Sequence, residues 1–146
     1  CGILVSSRVE EAEGHVFSES SRINSTFGGN LIDMVRFQMV LEIIEEENLL
    51  ENAKTMGDFL QSELYNLAEE FPAYVINPRG LGLFAAFDLP SETERDEIWN
   101  RLMKNNLLIL VSGDKSIRFR PHLNVTSEDI DLAIKIILNC VKDTLR

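Results

Sequence analysis

In SIRFRP (116–121), apolar and charged residues alternate, which predicts a β-strand. This strand is the starting point for predicting the fold. Successive side chains of a strand point to opposite faces, so Ile117 and Phe119 share one face while Arg118 and Arg120 share the other. Pro121 has no N–H to donate to a neighbouring strand, and it ends the pattern.

Three further segments around this strand favour a sheet. LLILVSG (107–113) reads as a strand joined to it through Gly113, Asp114 and Lys115. Upstream, AYVIN (73–77) is strand-like, NPRG (77–80) has the composition of a turn, and LGLFAAFDL (81–89) reads as a second strand. Strands that follow one another in pairs predict a largely antiparallel sheet.

Helical spacing of apolar residues predicts the remaining elements. The first helix covers about 31–44, and the second carries its stripe over 49–67 until Pro72 stops it. A capping pattern at 91–94 precedes a third helix, and the last helix starts at 126 or 127. The sequence therefore predicts an α+β fold with an antiparallel sheet and helices packed on one side.

Composition narrows the classes of partner. The chain has 146 residues and a net charge of −10, which opposes binding to nucleic acid or to anionic membranes. It contains no apolar run long enough for a membrane helix. Cys1 and Cys140 form neither a metal-binding spacing nor a disulfide framework, which indicates a reducing compartment and a cytoplasmic location.

A run of small polar residues, SRINSTFGGN (21–30), lies directly before the first helix. Hydroxyl groups, glycines and a helix start in one place are typical of an anion site, and a phosphate would fit there. The alternative is that Asn24, Ser25 or Thr26 simply caps the helix. No lysine follows the glycines, so the run is not a P-loop.

The charged residues near the sheet allow two interpretations. Arg118 and Arg120 are either solvated charges at a sheet edge or donors that bind a carboxylate in bidentate geometry. His15 and His122 are interpreted as surface or packing residues, and Asp88 as a charge at a strand end. The sequence predicts no metal site.

Four segments, in this order and spacing, resemble the C-terminal portion of the class III pyridoxal-phosphate-dependent aminotransferases: CGILVSSRV (1–9), SRINSTFGGN (21–30), PRGLGLFAAFDL (78–89) and GDKSIRFRPHL (113–123). The resemblance implies the C-terminal small domain of a fold-type I transferase. Residues 1–30 would be the tail of the large domain, 31–70 linking helices, and 71–146 the small α+β domain.

The same resemblance implies a cofactor site and a substrate site. Thr26, with Ser25 beside it, corresponds to the residues that bind the phosphate of pyridoxal 5'-phosphate in the active site of the other subunit, which implies a homodimer. Arg118 corresponds to the arginine that binds the substrate carboxylate. Within the family the chain is most similar to enzymes that move the ε-amino group of L-lysine to 2-oxoglutarate, and 4-aminobutyrate or ornithine are the alternative donors.

The chain also departs from the family pattern. The lysine that forms the Schiff base with the cofactor would precede Cys1, so the resemblance implies a fragment without catalytic residues of its own and inactive alone. Phe27 and His122 stand where a tryptophan and a proline are common in the family. The interpretations from other classes of protein are a free-standing α+β anion-binding module and a dimerisation module.

Overall fold

The computed structural model describes residues 5–19, 22 and 26–145. The chain forms two compact units, Cys1–Glu46 and Glu47–Arg146. This boundary falls between the first two long helices. The division into a large-domain tail (1–30), linking helices (31–70) and a small domain (71–146) refers to domains of a longer protein and stays a prediction.

The first unit contains a short 3-10 helix, Ser7–Val9, and helix α1, Leu31–Glu46. Asn30 caps α1, because its Oδ1 accepts a hydrogen bond of 2.9 Å from the Ile32 backbone N–H. The alternative interpretation, in which Asn24, Ser25 or Thr26 caps the helix, is therefore wrong for Thr26. Asn24 and Ser25 lie outside the described residues. None of the residues of α1 is buried.

The second unit contains three helices and a four-stranded sheet. Its elements are, in chain order, α2 (Leu49–Glu70), β1 (Ile76–Leu81), β2 (Phe84–Asp88), α3 (Glu92–Lys104), β3 (Leu110–Ser112), β4 (Ser116–Phe119) and α4 (Ser127–Thr144). The strand order is β1-β2-β4-β3, and every neighbouring pair is antiparallel.

The core lies on one face of this sheet. Phe87 and Ile117 are opposite each other on β2 and β4, and both are fully buried. The helices contribute buried side chains to the same core, among them Leu60 and Leu64 of α2, Ile98 and Leu102 of α3, and Ile137 and Val141 of α4. This confirms the predicted α+β fold with an antiparallel sheet and helices packed on one side.

The opposite face carries a row of residues in register. Arg79 of β1 lies opposite Ala86 of β2, which lies opposite Arg118 of β4, which lies opposite Leu110 of β3. Arg118 and Ala86 are only partly buried there. The predicted separation of Arg118 from Ile117 and Phe119 is confirmed.

The prediction for residues 73–80 was wrong in two places. Ala73, Tyr74 and Val75 form a turn rather than a strand, and residues 77–80 lie inside β1 rather than in a turn. The tight turn is at Gly82, whose φ of +54° suits glycine, between the paired residues Leu81 and Phe84. Pro78 is tolerated because β1 is an edge strand with irregular register between Ile76 and Arg79.

No helix that the structure describes is long and apolar enough to cross a lipid bilayer.

Candidate functional site

The predicted phosphate site lies in the first unit. Thr26 lies in the turn described at residues 26–29, ahead of Asn30 and α1, and it is exposed to solvent. Within the described part of the chain, its hydroxyl makes no hydrogen bond. Gly29 in this turn has a φ of +76°. Ser25 lies outside the described residues. Thr26 therefore presents, in the turn before α1, a hydroxyl donor that no described residue engages, which is chemistry that a phosphate oxygen accepts.

The predicted carboxylate site lies in the second unit. Arg118 lines a cavity of about 380 Å³ whose walls come from α2, α4, the ends of β3 and β4, and the segments next to those strands. The apolar part of the lining is Leu60, Leu107, Leu108, Ile109, Leu110, Phe119, Pro121, Val125, Ile130 and Ala133. Apolar walls with a few polar groups are typical of small-molecule sites.

Arg118 has an unmet hydrogen-bonding requirement. Its Nε is buried and has no hydrogen-bond partner among the described residues. A buried donor without a partner costs free energy, so a ligand oxygen that accepts from it would gain that free energy on binding. A guanidinium group fits a carboxylate in bidentate geometry.

Arg120 and His122 line the same cavity as Arg118. The Arg120 guanidinium carbon lies 6.0 Å from the centre of the Phe84 ring, a distance at which a cation is attracted to an aromatic face. His122 is exposed, and its Nδ1 lies 2.9 Å from Oδ1 of Asn124. The structure thus brings three basic side chains to one cavity, and the exposure of His122 agrees with its interpretation as a surface residue.

Among the described residues, Asp129 is the acidic residue that lines this cavity. It belongs to the capping box of α4. Its Oδ2 accepts hydrogen bonds from the backbone N–H of Thr126, at 3.1 Å, and from the Thr126 hydroxyl, at 3.0 Å. These two bonds, and less strongly the charge of His122, lower the pKa of the Asp129 carboxyl. The acid therefore stays ionised, but its carboxylate is engaged at the start of the helix.

A buried polar cluster next to Arg118 was missed by sequence reasoning. Asp88, interpreted from the sequence as a charge at a strand end, is 7% exposed. Its carboxylate accepts hydrogen bonds from Ser116 at 2.6 Å, Arg79 at 2.9 Å and Asn77 at 3.0 Å. Arg79 also donates to the Ser116 hydroxyl at 2.9 Å. The strand register, which places Asp88 opposite Ser116, is the signal that would have revealed the cluster.

The electrostatics of this cluster favour the charged form of the acid. Burial alone would raise the pKa of Asp88, but the hydrogen bonds from Ser116, Asn77 and Arg79 and the charge of Arg79 outweigh that effect. The pKa of Asp88 is therefore lowered from its usual value. Because the cluster links β1, β2 and β4 two residues from Arg118, it holds the strand that carries the candidate carboxylate donor.

The described residues contain no group of three or more histidine, cysteine, aspartate or glutamate side chains that could hold a metal ion.

Comparison with known proteins gives these sites a context. The family model for aminotransferase class-III matches residues 2–141. The chain belongs to the class III aminotransferases. This aminotransferase chain is 45% identical to the L-lysine-epsilon aminotransferase of Mycobacterium tuberculosis over 137 residues, which are 94% of the chain and 30% of that protein. It is 43% identical to the enzyme of the same name from Amycolatopsis lactamdurans, over 94% of the chain and 31% of that protein.

Solved structures show the same similarity. The lysine aminotransferase from M. tuberculosis superposes with a TM-score of 0.85 at 44% sequence identity, covering 93% of this aminotransferase chain and 31% of that protein's chain. The chain therefore spans about a third of the length of the relatives that it matches.

Proposed function

We propose that this chain is the C-terminal part of a pyridoxal-phosphate-dependent lysine ε-aminotransferase, and that the longer protein moves the ε-amino group of L-lysine to 2-oxoglutarate. The observation that carries the proposal is the 43–45% identity to L-lysine-epsilon aminotransferases along 94% of the chain. The unpartnered Nε of Arg118 in an apolar cavity supports it, because both substrates carry a carboxylate and an aliphatic chain.

Thr26 is the residue of this chain proposed to hold the cofactor, with Ser25 beside it. The exposed Thr26 hydroxyl, free of hydrogen bonds within the described part of the chain, fits a phosphate oxygen as acceptor. When bound, pyridoxal 5'-phosphate supplies the electron-accepting ring that makes amino-group transfer possible. In the proposed homodimer, the two threonines each serve the active site of the other subunit.

Arg118 is proposed to bind and orient the substrate carboxylate. In an aminotransferase reaction the same site receives an amino acid and then an oxo acid, so a fixed guanidinium can position both through the carboxylate that they share. The cluster of Asp88, Arg79 and Ser116 holds β4 in register, and it thereby keeps Arg118 in place. The apolar residues beside Arg118 exclude water from the aliphatic part of the substrate.

Other ω-amino acids are the second candidate for the donor. The chain is 36% identical to the acetylornithine aminotransferase of Thermosynechococcus vestitus over 75% of its length, and 33% identical to the 4-aminobutyrate aminotransferase of Dictyostelium discoideum over 73%. Lysine is favoured because identity and coverage are both higher for the lysine enzymes.

This chain alone is proposed not to transfer amino groups, and the longer protein is proposed to be cytoplasmic. The chain has five lysines: Lys54 on α2, Lys104 on α3, Lys115 in the turn between β3 and β4, and Lys135 and Lys142 on α4. None of them lines the cavity at Arg118 in the part of the chain that the structure describes. The reaction needs a lysine that the rest of the longer protein would supply.

The test is to assay the 146-residue chain beside the longer protein for glutamate formed from lysine and 2-oxoglutarate. Activity is expected in the longer protein only, with lysine turned over faster than ornithine or 4-aminobutyrate. Activity in neither sample, or a preference for another donor, would contradict the proposal or its substrate.

Variants of the longer protein test the two residue roles. Arg118→Lys keeps the charge but loses the bidentate geometry, so the KM for 2-oxoglutarate is expected to rise at least about tenfold. Arg120→Lys is the matched control and should change that KM by less than about threefold. Thr26→Ala should weaken cofactor binding about tenfold, while Thr26→Ser, which keeps the hydroxyl, should not. If the two variants of a pair had equal effects, the role proposed for Arg118 or for Thr26 would be wrong.

A further inference from the structure

The cavity at Arg118 holds a third basic group whose position is fixed by the fold. His122 lies in the segment between Pro121 and the start of α4. Asn52 of α2 holds this segment, because its Nδ2 donates to the carbonyl oxygens of Leu123, at 2.7 Å, and Val125, at 3.1 Å. The backbone that follows the histidine is thus tied to a helix of the same unit, although the side chain is exposed.

The hydrogen bond of His122 determines which ring nitrogen is available. Oδ1 of Asn124 accepts only, so the contact of 2.9 Å is a hydrogen bond in the tautomer that carries its proton on Nδ1 of His122. Nε2 is then an acceptor in the neutral ring and a donor in the protonated ring. A protonated His122 therefore offers one N–H to an anion in the cavity that it lines.

The charges around His122 favour an anion. Arg118 and Arg120 line the cavity with it, and the acid of the described lining, Asp129, has its Oδ2 bonded to Thr126. The cavity also receives residues from the first turns of α4, an 18-residue helix whose N-terminal end has a positive dipole. A carboxylate held by Arg118 would thus lie in a cavity with two further basic side chains.

We infer that His122 is a second carboxylate ligand of this cavity, and that it donates from Nε2 to the carboxylate that Arg118 binds. The inference deepens the proposed function, on which it rests, by adding a residue that contacts the substrate. It also predicts that carboxylate binding is linked to proton uptake, because Nε2 donates only in the protonated ring.

The chain offers an internal control for this inference, because it contains two histidines, His15 in the first unit and His122 in the second. The 146-residue chain is labelled with ¹⁵N and titrated with glutarate, and the imidazole nitrogens are followed by NMR. His122→Gln assigns the two sets of signals. We expect saturable changes at His122 and none at His15, and no change at either when uncharged 1,5-pentanediol replaces glutarate.

Calorimetry on the same chain supplies a second readout. Histidine changes charge between about pH 5 and about pH 8, so the wild-type chain should bind glutarate about three- to tenfold more tightly at about pH 6.5 than at about pH 8.5. His122→Gln and His122→Asn should each remove this pH dependence while retaining binding through Arg118. Arg118→Gln should abolish glutarate binding.

The outcomes separate the inference from the proposed function. Saturable binding with unmoved His122 signals would overturn the inference and leave Arg118 as the ligand. Absence of glutarate binding to the wild-type chain at about pH 6.5 would also overturn it, since every residue invoked lies in Glu47–Arg146. The proposed function fails on a different result, namely that the longer protein forms no glutamate from lysine and 2-oxoglutarate.

Discussion

Helices α1 and α4 are similar in length but opposite in how their apolar residues are covered. Helix α1 has 16 residues and none is buried, while α4 has 18 residues and buries Ile130, Ile134, Ile137, Cys140 and Val141. The apolar residues of α4 form one stripe, which the sheet and the neighbouring helices cover. Those of α1 are distributed around the helix, and Ile32 and Val35 are 70% and 60% exposed.

The difference indicates where each helix gains its stability. A helix that is apolar all round is normally buried on several sides, and an exposed apolar surface of this kind marks an interface. The apolar face of α4 is already covered within the unit Glu47–Arg146. We therefore expect α1 to be covered in the longer protein or by the other subunit of the proposed homodimer.

The largest expected difference between the two helices is in the free energy of unfolding, and a pair of isoleucine truncations tests it. Ile137→Ala leaves a cavity in the core, so the free energy of unfolding should fall by about 2–5 kcal/mol. Ile32→Ala removes an exposed side chain and should change it by less than about 0.5 kcal/mol. Urea unfolding measures both when it is followed by far-UV circular dichroism, which reports on the helices of both units, and by the fluorescence of Trp99, the single tryptophan, which lies in the second unit.

The longer protein supplies the control for this pair. If α1 is covered there, Ile32→Ala should destabilise the longer protein markedly while leaving the 146-residue chain unchanged. Equal and small effects of Ile32→Ala in both proteins would show that α1 stays uncovered, and the comparison between the two helices would then lose its interpretation.

The polar cluster at Asp88 should give the next largest effect. Asp88→Asn removes the charge that accepts from Arg79 and Ser116, and it should lower the free energy of unfolding by about 1–3 kcal/mol at neutral pH. The same substitution should raise the KM for 2-oxoglutarate in the longer protein, because β4 carries Arg118. Val35→Ala, in α1, is the control that should not alter the free energy of unfolding of the 146-residue chain.

The pH dependence of Asp88 has a definite sign. The pKa of Asp88 is lower in the folded state than its ordinary value of about 4. The stability that it contributes is therefore fully present above about pH 4 and is lost as the pH falls through the folded pKa. The wild-type chain should lose its advantage over Asp88→Asn in that acidic window, and an unchanged difference between the two at low pH would contradict this assignment.

Sequence patterns predicted the second unit well because its elements are locally consistent. The stripe of α4, the alternation of Ile117 to Arg120 and the turn at Gly113 each follow from the spacing of a few residues. The strand and turn at 73–80 were misplaced because an irregular edge strand accommodates Asn77 and Pro78, a choice that depends on pairing with β2. Local pattern does not contain that pairing.

The candidate site was predictable to a lesser degree. Alternation placed Arg118 on the sheet face away from the core, and family resemblance gave it a role, which stays a proposal together with those of Thr26 and Ser25. The cluster at Asp88 and the place of His122 in the cavity both depend on contacts between residues distant in the chain. Such contacts are set by strand register and by the packing of α4 on α2, which no single segment encodes.

The smallest expected effect on the free energy of unfolding comes from the helix caps, which also differ between α1 and α4. Thr126 caps α4 in a reciprocal capping box with Asp129, so Thr126→Ala should lower the free energy of unfolding by about 1 kcal/mol. Asn30 caps α1 through one hydrogen bond to Ile32, so Asn30→Ala should not change the unfolding of the unit that contains Trp99. Thr126→Ser, which retains the accepting hydroxyl, should recover most of the loss. A cost for Asn30→Ala equal to that of Thr126→Ala would mean that α1 unfolds together with the second unit, and that its exposed apolar residues are not independent of the core around α4.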